Sequence, residues 1–117
     1  MHKGKGFLER LACAVQGLFI AFRFEASFRF QIFAAVLATA SLFILRPPLI
    51  WSALVIVMIA LVLAAELFNT ALEHLLDGLH PGMAEFVRMA KDCSAAAVLV
   101  LSCASVVIYV LMLASSA

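Results

Sequence analysis

Four polar residues, Glu66, Asn69, Glu73 and Asp77, close a run that is apolar almost without interruption from Leu49 onward. At 100° per residue from Glu66, Asn69 falls at about 300°, Glu73 at about 340° and Asp77 at about 20°, so the four share one helical face about 80° wide. Glu73 lies about 10 Å further along the axis than Glu66, which puts Glu66 below headgroup level and Glu73 and Asp77 near water. A carboxylate in hydrocarbon costs about 2.5 to 3.5 kcal/mol on insertion scales, so its presence marks a function by default. Two roles are open: Glu66 takes a proton in a reaction at the membrane surface, or Glu66 and Asn69 bond across to neighbouring helices as packing glue.

Other residues extend the possible chemistry. Glu25 belongs to the same water side as Glu73, and two carboxylates from different helices suit Mg²⁺ when phosphates and water complete the shell. Lys91 can neutralise phosphate charge. Asp92 can hold Lys91, touch a nucleotide ribose, or sit as an ordinary acid in a helix's first turn. There is no G-x-x-x-x-G-K-[ST] loop, the only early glycines being Gly4 and Gly6, and no protein-kinase motif set. His2, His74 and His80 form neither H-E-x-x-H nor a zinc spacing, and His74 points about 80° from the Glu66 reference. Cys13, Cys93 and Cys103 lack C-x-x-C spacing and read as packing thiols.

The elements that position these groups follow from composition and periodicity. The 117 residues are 67% hydrophobic and 13% charged with a net charge of +1, which describes a small integral membrane protein and gives no basic track for nucleic acid. Glu9, Arg10 and Gln16 interrupt what would be a secretory signal, so the start reads as mature sequence. Over about residues 6–24, Leu8, Leu11, Ala12, Val15, Leu18, Phe19 and Phe22 share a face opposed to a more polar one, as in a helix lying in the interface. Cys13 and Ile20 on that other face leave packing against the bundle as the alternative.

Three spans are expected, at about 30–45, 49–77 and 94–113. The first, about 24 Å long, is short for a hydrocarbon core of about 30 Å. "RPP" at Arg46–Pro48 turns the chain, and Gly78, Pro81 and Gly82 break the second span. The expected fold is thus all-α: three transmembrane helices and an N-terminal amphipathic surface helix, in a single domain over residues 1–117. Lys3, Lys5, Arg10, Arg23, Arg29, Arg88 and Lys91 fall on one side and Arg46 alone on the other, so the N-terminus and the 78–92 loop are expected to be cytoplasmic.

Set in this frame, "EASFR" (Glu25–Arg29), "ELFNTALEHLLD" (Glu66–Asp77) and "AKDCSAAAV" (Ala90–Val98) resemble the prokaryotic diacylglycerol kinase family, which includes the undecaprenol kinases, in order and spacing across nearly the whole chain. The resemblance implies a homotrimer in the bacterial cytoplasmic membrane, with active sites between subunits, that moves phosphate from ATP with Mg²⁺ to a lipid hydroxyl. It implies Glu66 as the general base, Glu25 and Glu73 as metal holders, and Glu25, Asn69, Glu73, Lys91 and Asp92 as nucleotide contacts. Ser27 and Arg29 would join Glu66 at the lipid substrate, and Asp77 would serve site architecture. Gln31 stands where diacylglycerol-specific members carry a carboxylate, as in the undecaprenol kinases, and "SAAAV" (Ser94–Val98) differs from both groups. Diacylglycerol is the expected acceptor and undecaprenol the alternative.

Two other classes stay in view. A proton-conducting bundle would use Glu66 but gives no role to Glu25, Lys91 and Asp92. A structural subunit would use the ridge to find a partner helix.

Overall fold

The computed structural model describes residues 6–80, 82 and 84–116. Four helices fill them: α1 (Phe7–Phe24), α2 (Ala26–Leu45), α3 (Leu49–Leu79) and α4 (Glu85–Ser116), with no strand among the described residues. The last three are long and apolar enough to cross a membrane. His2, Lys3, Gly4, Lys5 and Pro81, which entered the sequence reading, lie outside the described residues.

Three boundaries differ from the expected ones. The first span begins at Ala26 rather than near Phe30, which gives it 20 residues and about 30 Å, enough to cross unaided. The bend is confined to Glu25, whose extended backbone (φ −118°, ψ 108°) ends α1 and starts α2. No loop is needed, because the Arg29 guanidinium donates to the Phe22 and Arg23 carbonyls (2.7 and 3.0 Å) and so occupies acceptors that the end of α1 leaves free.

α3 runs to Leu79 with Gly78 inside it, and stops at His80 (φ −138°, ψ 79°). The 85–92 stretch, expected within a loop, is the first two turns of α4. Glu85 suits a helix N-terminus, and Arg88 bonds both Glu85 and Asp92 at helical spacing.

At the other end Arg46 takes a left-handed conformation (φ 50°, ψ 56°) and its N–H closes on the Leu42 carbonyl at 3.0 Å. Pro47 disfavours a helical residue before it, and Pro48, preceding the first turn, accepts from the Trp51 N–H at 2.9 Å.

α3 is central. It packs against α2 and α4, and α1 lies against α2 and α3. No close backbone contact joins α2 to α4 among the described residues. Few side chains are fully buried: Ala21, Phe28, Val55, Val62, Val87 and Met112, with the polar Glu66 and Thr70. A lipid-solvated chain gains little by hiding Leu or Phe from tails that are equally apolar, so a small core with many apolar groups outside is what the solvent allows.

α1 resolves the two readings of its faces. Cys13, Gly17 and Ala21 turn inward, whereas Leu8, Leu11, Phe19 and Phe22 are exposed on the opposite side. One face therefore meets the bundle and the apolar face is left to lipid. The reading of all three cysteines as packing thiols holds only for half-buried Cys13, since Cys93 and Cys103 are exposed on this chain; all three are free.

α3 has 31 residues and is about 46 Å long, about 15 Å more than a hydrocarbon core. Its surplus turns and the start of α4 form one polar end beside α1, and the ridge stands there.

Candidate active site

The ridge on α3 does not face one neighbour. Because α3 lies between α2 and α4, its polar residues divide between them. Glu66 and His74 turn to the α1–α2 hinge, Asn69 and Asp77 turn to α4, and Glu73 stands between.

On the α2 side the Ser27 Oγ donates to Glu66 Oε2 at 2.6 Å. Glu66 is 1% exposed, and Thr70, one turn nearer the polar end, is also buried. Ser27 is placed by the hinge, which starts α2 only one residue before it, and Phe28 anchors that turn in the core. A carboxylate held off water with one oxygen bonded to a hydroxyl is oriented, and it keeps acceptor capacity for a second hydroxyl.

Two turns further along α3, His74 Nε2 lies 3.8 Å from Glu25 Oε2, and the His74 ring meets Phe24 edge-on with centroids 6.4 Å apart. Glu73 is within electrostatic reach of Glu25, Lys91, Asp77 and His74. Carboxylates from two elements and one ammonium group thus share a small region at the polar end.

On the α4 side the Lys91 Nζ donates to Asp77 Oδ1 at 2.6 Å, and the Ser94 hydroxyl donates to the Asn69 side-chain carbonyl. Val87, Lys91 and Ser94 fall on one stripe of α4 at spacings of four and three, and Val87 is buried. Lys91 therefore points toward α3. Asp92 does not hold Lys91, because Arg88 binds it at 3.0 Å on the exposed face of α4, one residue off the inward stripe.

The structure gathers Glu25, Ser27, Glu66, Asn69, Glu73 and Lys91 at one end of a single chain. Arg29 and Asp92 stand at its margin, Arg29 on the carbonyls that end α1 and Asp92 against Arg88. The sequence reading did not select His74 and Ser94. His74 was set aside for lying about 80° off the ridge, but a helix between two neighbours has two inner flanks, and His74 is on the second. Ser94 had a usable signal in its spacing from Lys91 and Val87.

Among the described residues no group of three or more Asp, Glu, His or Cys side chains is arranged to hold a metal alone. The donors present are hard carboxylate oxygens, Glu25 and Glu73, and two of these fit Mg²⁺ in the form that takes its other ligands from phosphate and water.

Comparison with known proteins shows the family to which the chain belongs. Residues 12–113 match the family described as prokaryotic diacylglycerol kinase. A diacylglycerol kinase of Synechocystis sp. is 35% identical over 94 residues, which is 79% of this chain and 53% of that protein. One from Haemophilus influenzae is 34% identical over 90 residues, 77% of this chain and 76% of that protein. The matched region thus spans about half the length of the Synechocystis relative and three quarters of the other. With the family match running from within α1 through α2 and α3 and most of α4, the chain belongs to the prokaryotic diacylglycerol kinase family.

Proposed function

We propose that this protein is a lipid kinase that transfers the γ-phosphate of ATP to the free hydroxyl of diacylglycerol, forming phosphatidic acid. The observation that carries the proposal is the buried Glu66, bonded to Ser27, about two helical turns nearer the hydrocarbon than Glu73, whose charged neighbours include Glu25 and Lys91. That order from hydrocarbon to water matches the order of the reactants, a greasy alcohol below and a charged triphosphate above.

Glu66 accepts the proton of the lipid hydroxyl as its oxygen attacks the γ-phosphorus. The bond from that phosphorus to the bridging oxygen breaks, and ADP leaves. Ser27 keeps the Glu66 carboxylate turned toward the acceptor, and Asn69, fixed by Ser94, lies one turn toward the phosphates. Lys91, held by Asp77, neutralises phosphate charge. Glu25 and Glu73 would hold Mg²⁺, which supplies further neutralisation of the phosphate oxygens. Phosphoryl transfer asks mainly for positioning and charge, so this set suffices without a nucleotide-binding fold.

An ATP molecule exceeds what three thin helices enclose, and a homotrimer with sites completed by neighbouring subunits is part of the proposal. So is a cytoplasmic placement of the polar end, supported by Arg10, Arg23, Arg29, Arg88 and Lys91 there against Arg46 alone at the opposite end.

The test is phosphate transfer from labelled ATP by the purified protein in lipid, offered diacylglycerol or undecaprenol, with and without Mg²⁺. Labelled phosphatidic acid that requires Mg²⁺ and vanishes in Glu66→Gln is the expected result. Transfer to undecaprenol alone would overturn the acceptor. No transfer, with a proton leak in vesicles that Glu66→Gln abolishes, would overturn the enzyme.

A further inference from the structure

α2 and α4 flank α3 without close backbone contact to each other, and the space between them is a cavity of about 400 Å³. Its upper end begins beneath the Ser27–Glu66 bond. Phe30 and Gln31 in its lining follow Ser27 by three and four residues, and Leu63 and Val62 precede Glu66 by the same intervals. The α2 and α3 sides of the cavity therefore begin one helical turn below the proposed base.

Two polar bridges tie α2 to α4 across this groove. Near the top Gln31 Nε2 donates to Ser102 Oγ at 3.3 Å. Further from the polar end the Ser41 Oγ donates to the Ala38 carbonyl at 2.7 Å and pairs with the Tyr109 hydroxyl at 2.5 Å. The bridges stand ten residues apart on α2 and seven apart on α4, about 15 and 11 Å along the axes. Between them the lining is almost wholly apolar, with Ala34 and Ala38 leaving room on α2. The volume falls in the range of ordinary small-ligand pockets.

We propose that this groove seats one acyl chain of the lipid acceptor, and that the Ser41–Tyr109 bridge is its floor and selects chain length. The inference rests on the lipid kinase reading for its acceptor. The occupant follows from continuity, because a lipid whose hydroxyl reaches Glu66 must lead its chain down the next turn of the same two helices. An apolar slot closed by a paired Tyr hydroxyl offers a chain end contact without leaving a polar group unsatisfied.

The experiment uses two variants with opposite consequences. Tyr109→Ala removes the floor, and Ala38→Phe fills the groove from its wall. Acceptors from dioctanoyl- through didecanoyl-, dilauroyl- and dimyristoyl- to dioleoylglycerol are compared by kcat/KM. Tyr109→Ala should raise the dioleoyl to dioctanoyl ratio by about tenfold, the scale on which apolar pockets discriminate by size, and Ala38→Phe should lower it by a similar factor. A folding defect would lower all acceptors together. An unchanged profile in both variants would overturn the proposal while leaving the kinase reading intact.

A second measurement needs no turnover. A diacylglycerol carrying a diazirine in mid-chain is photolysed on the protein in lipid bilayers, and the labelled residues are mapped. Label concentrated on Ala34, Ala38 and Val106 is expected. Label spread evenly over the outward Phe33, Val36 and Leu37 would overturn the groove as a chain seat, as would its protection by a second copy of the chain. Absence of phosphate transfer with groove labelling intact would instead sink the kinase reading alone.

Discussion

Ser27 and Glu66 are 39 positions apart in the chain, and their side chains meet at 2.6 Å inside the bundle. Glu66→Gln should lower kcat by about 10²- to 10⁴-fold, the range for losing a positioned general base. Ser27→Ala keeps the base but frees its orientation, and the expected loss in kcat is smaller, about tenfold, with KM for ATP unchanged. A hydrogen bond to a charged group contributes about 1.5 to 3 kcal/mol, which sets that scale. Steady-state kinetics on both variants decide it: equal losses would make Ser27 part of the chemistry, and no loss would make the bond incidental.

Glu25 and Glu73 reach the same region from the α1–α2 hinge and from α3. If they share Mg²⁺, Glu25→Gln and Glu73→Gln should each raise the Mg²⁺ needed for half-maximal turnover by about tenfold or more. The double variant should cost less than the product of the two, since groups acting on one ion are not additive. Titration of activity against Mg²⁺ at saturating ATP is the measurement. Independent, multiplicative effects would place the two carboxylates at different tasks.

Lys91 is held by Asp77 at 2.6 Å. Asp77→Asn should raise KM for ATP severalfold with a smaller change in kcat, because the ammonium group remains but is no longer aimed. Lys91→Ala should raise KM further and lower kcat, and Lys91→Arg should recover part of both. Should Asp77→Asn in the Lys91→Ala background cost as much as it does alone, Asp77 acts on something other than Lys91.

The Ser94 hydroxyl partners the side-chain carbonyl of half-buried Asn69. Ser94→Ala strips that partner away, and the expected loss of stability is about 1 to 3 kcal/mol, the range for a buried polar group left without its bond. Ser94→Thr should restore the bond. Reversible unfolding of the three proteins in mixed micelles, followed by circular dichroism, reads the difference. A loss persisting in Ser94→Thr would point to packing instead.

Much of the site was legible because it is local. The alignment of Glu66, Asn69, Glu73 and Asp77 is a consequence of helix pitch alone, and the spans are a consequence of apolar run length. The boundaries were less so. Glu85, Arg88, Lys91 and Asp92 read as a loop by polarity, yet they form the start of α4, where Arg88 pairs with Glu85 and Asp92 at three- and four-residue spacing. The one-residue hinge at Glu25 was hidden for a similar reason, since Arg29 serves as the cap of the helix before its own.

By itself the sequence determined what any helix of this pitch and hydropathy must do: which residues form a ridge, how far apart they stand along the axis, and which end of the molecule is charged. Only the tertiary structure decided what the ridge meets. With α3 between two helices, the ridge divides, so that Glu66 goes to Ser27, Asn69 to Ser94, Asp77 to Lys91 and His74 to Glu25. Periodicity records a residue's angle on its own axis, whereas the partner at that angle depends on where the neighbouring helices stand, and that is a property of packing.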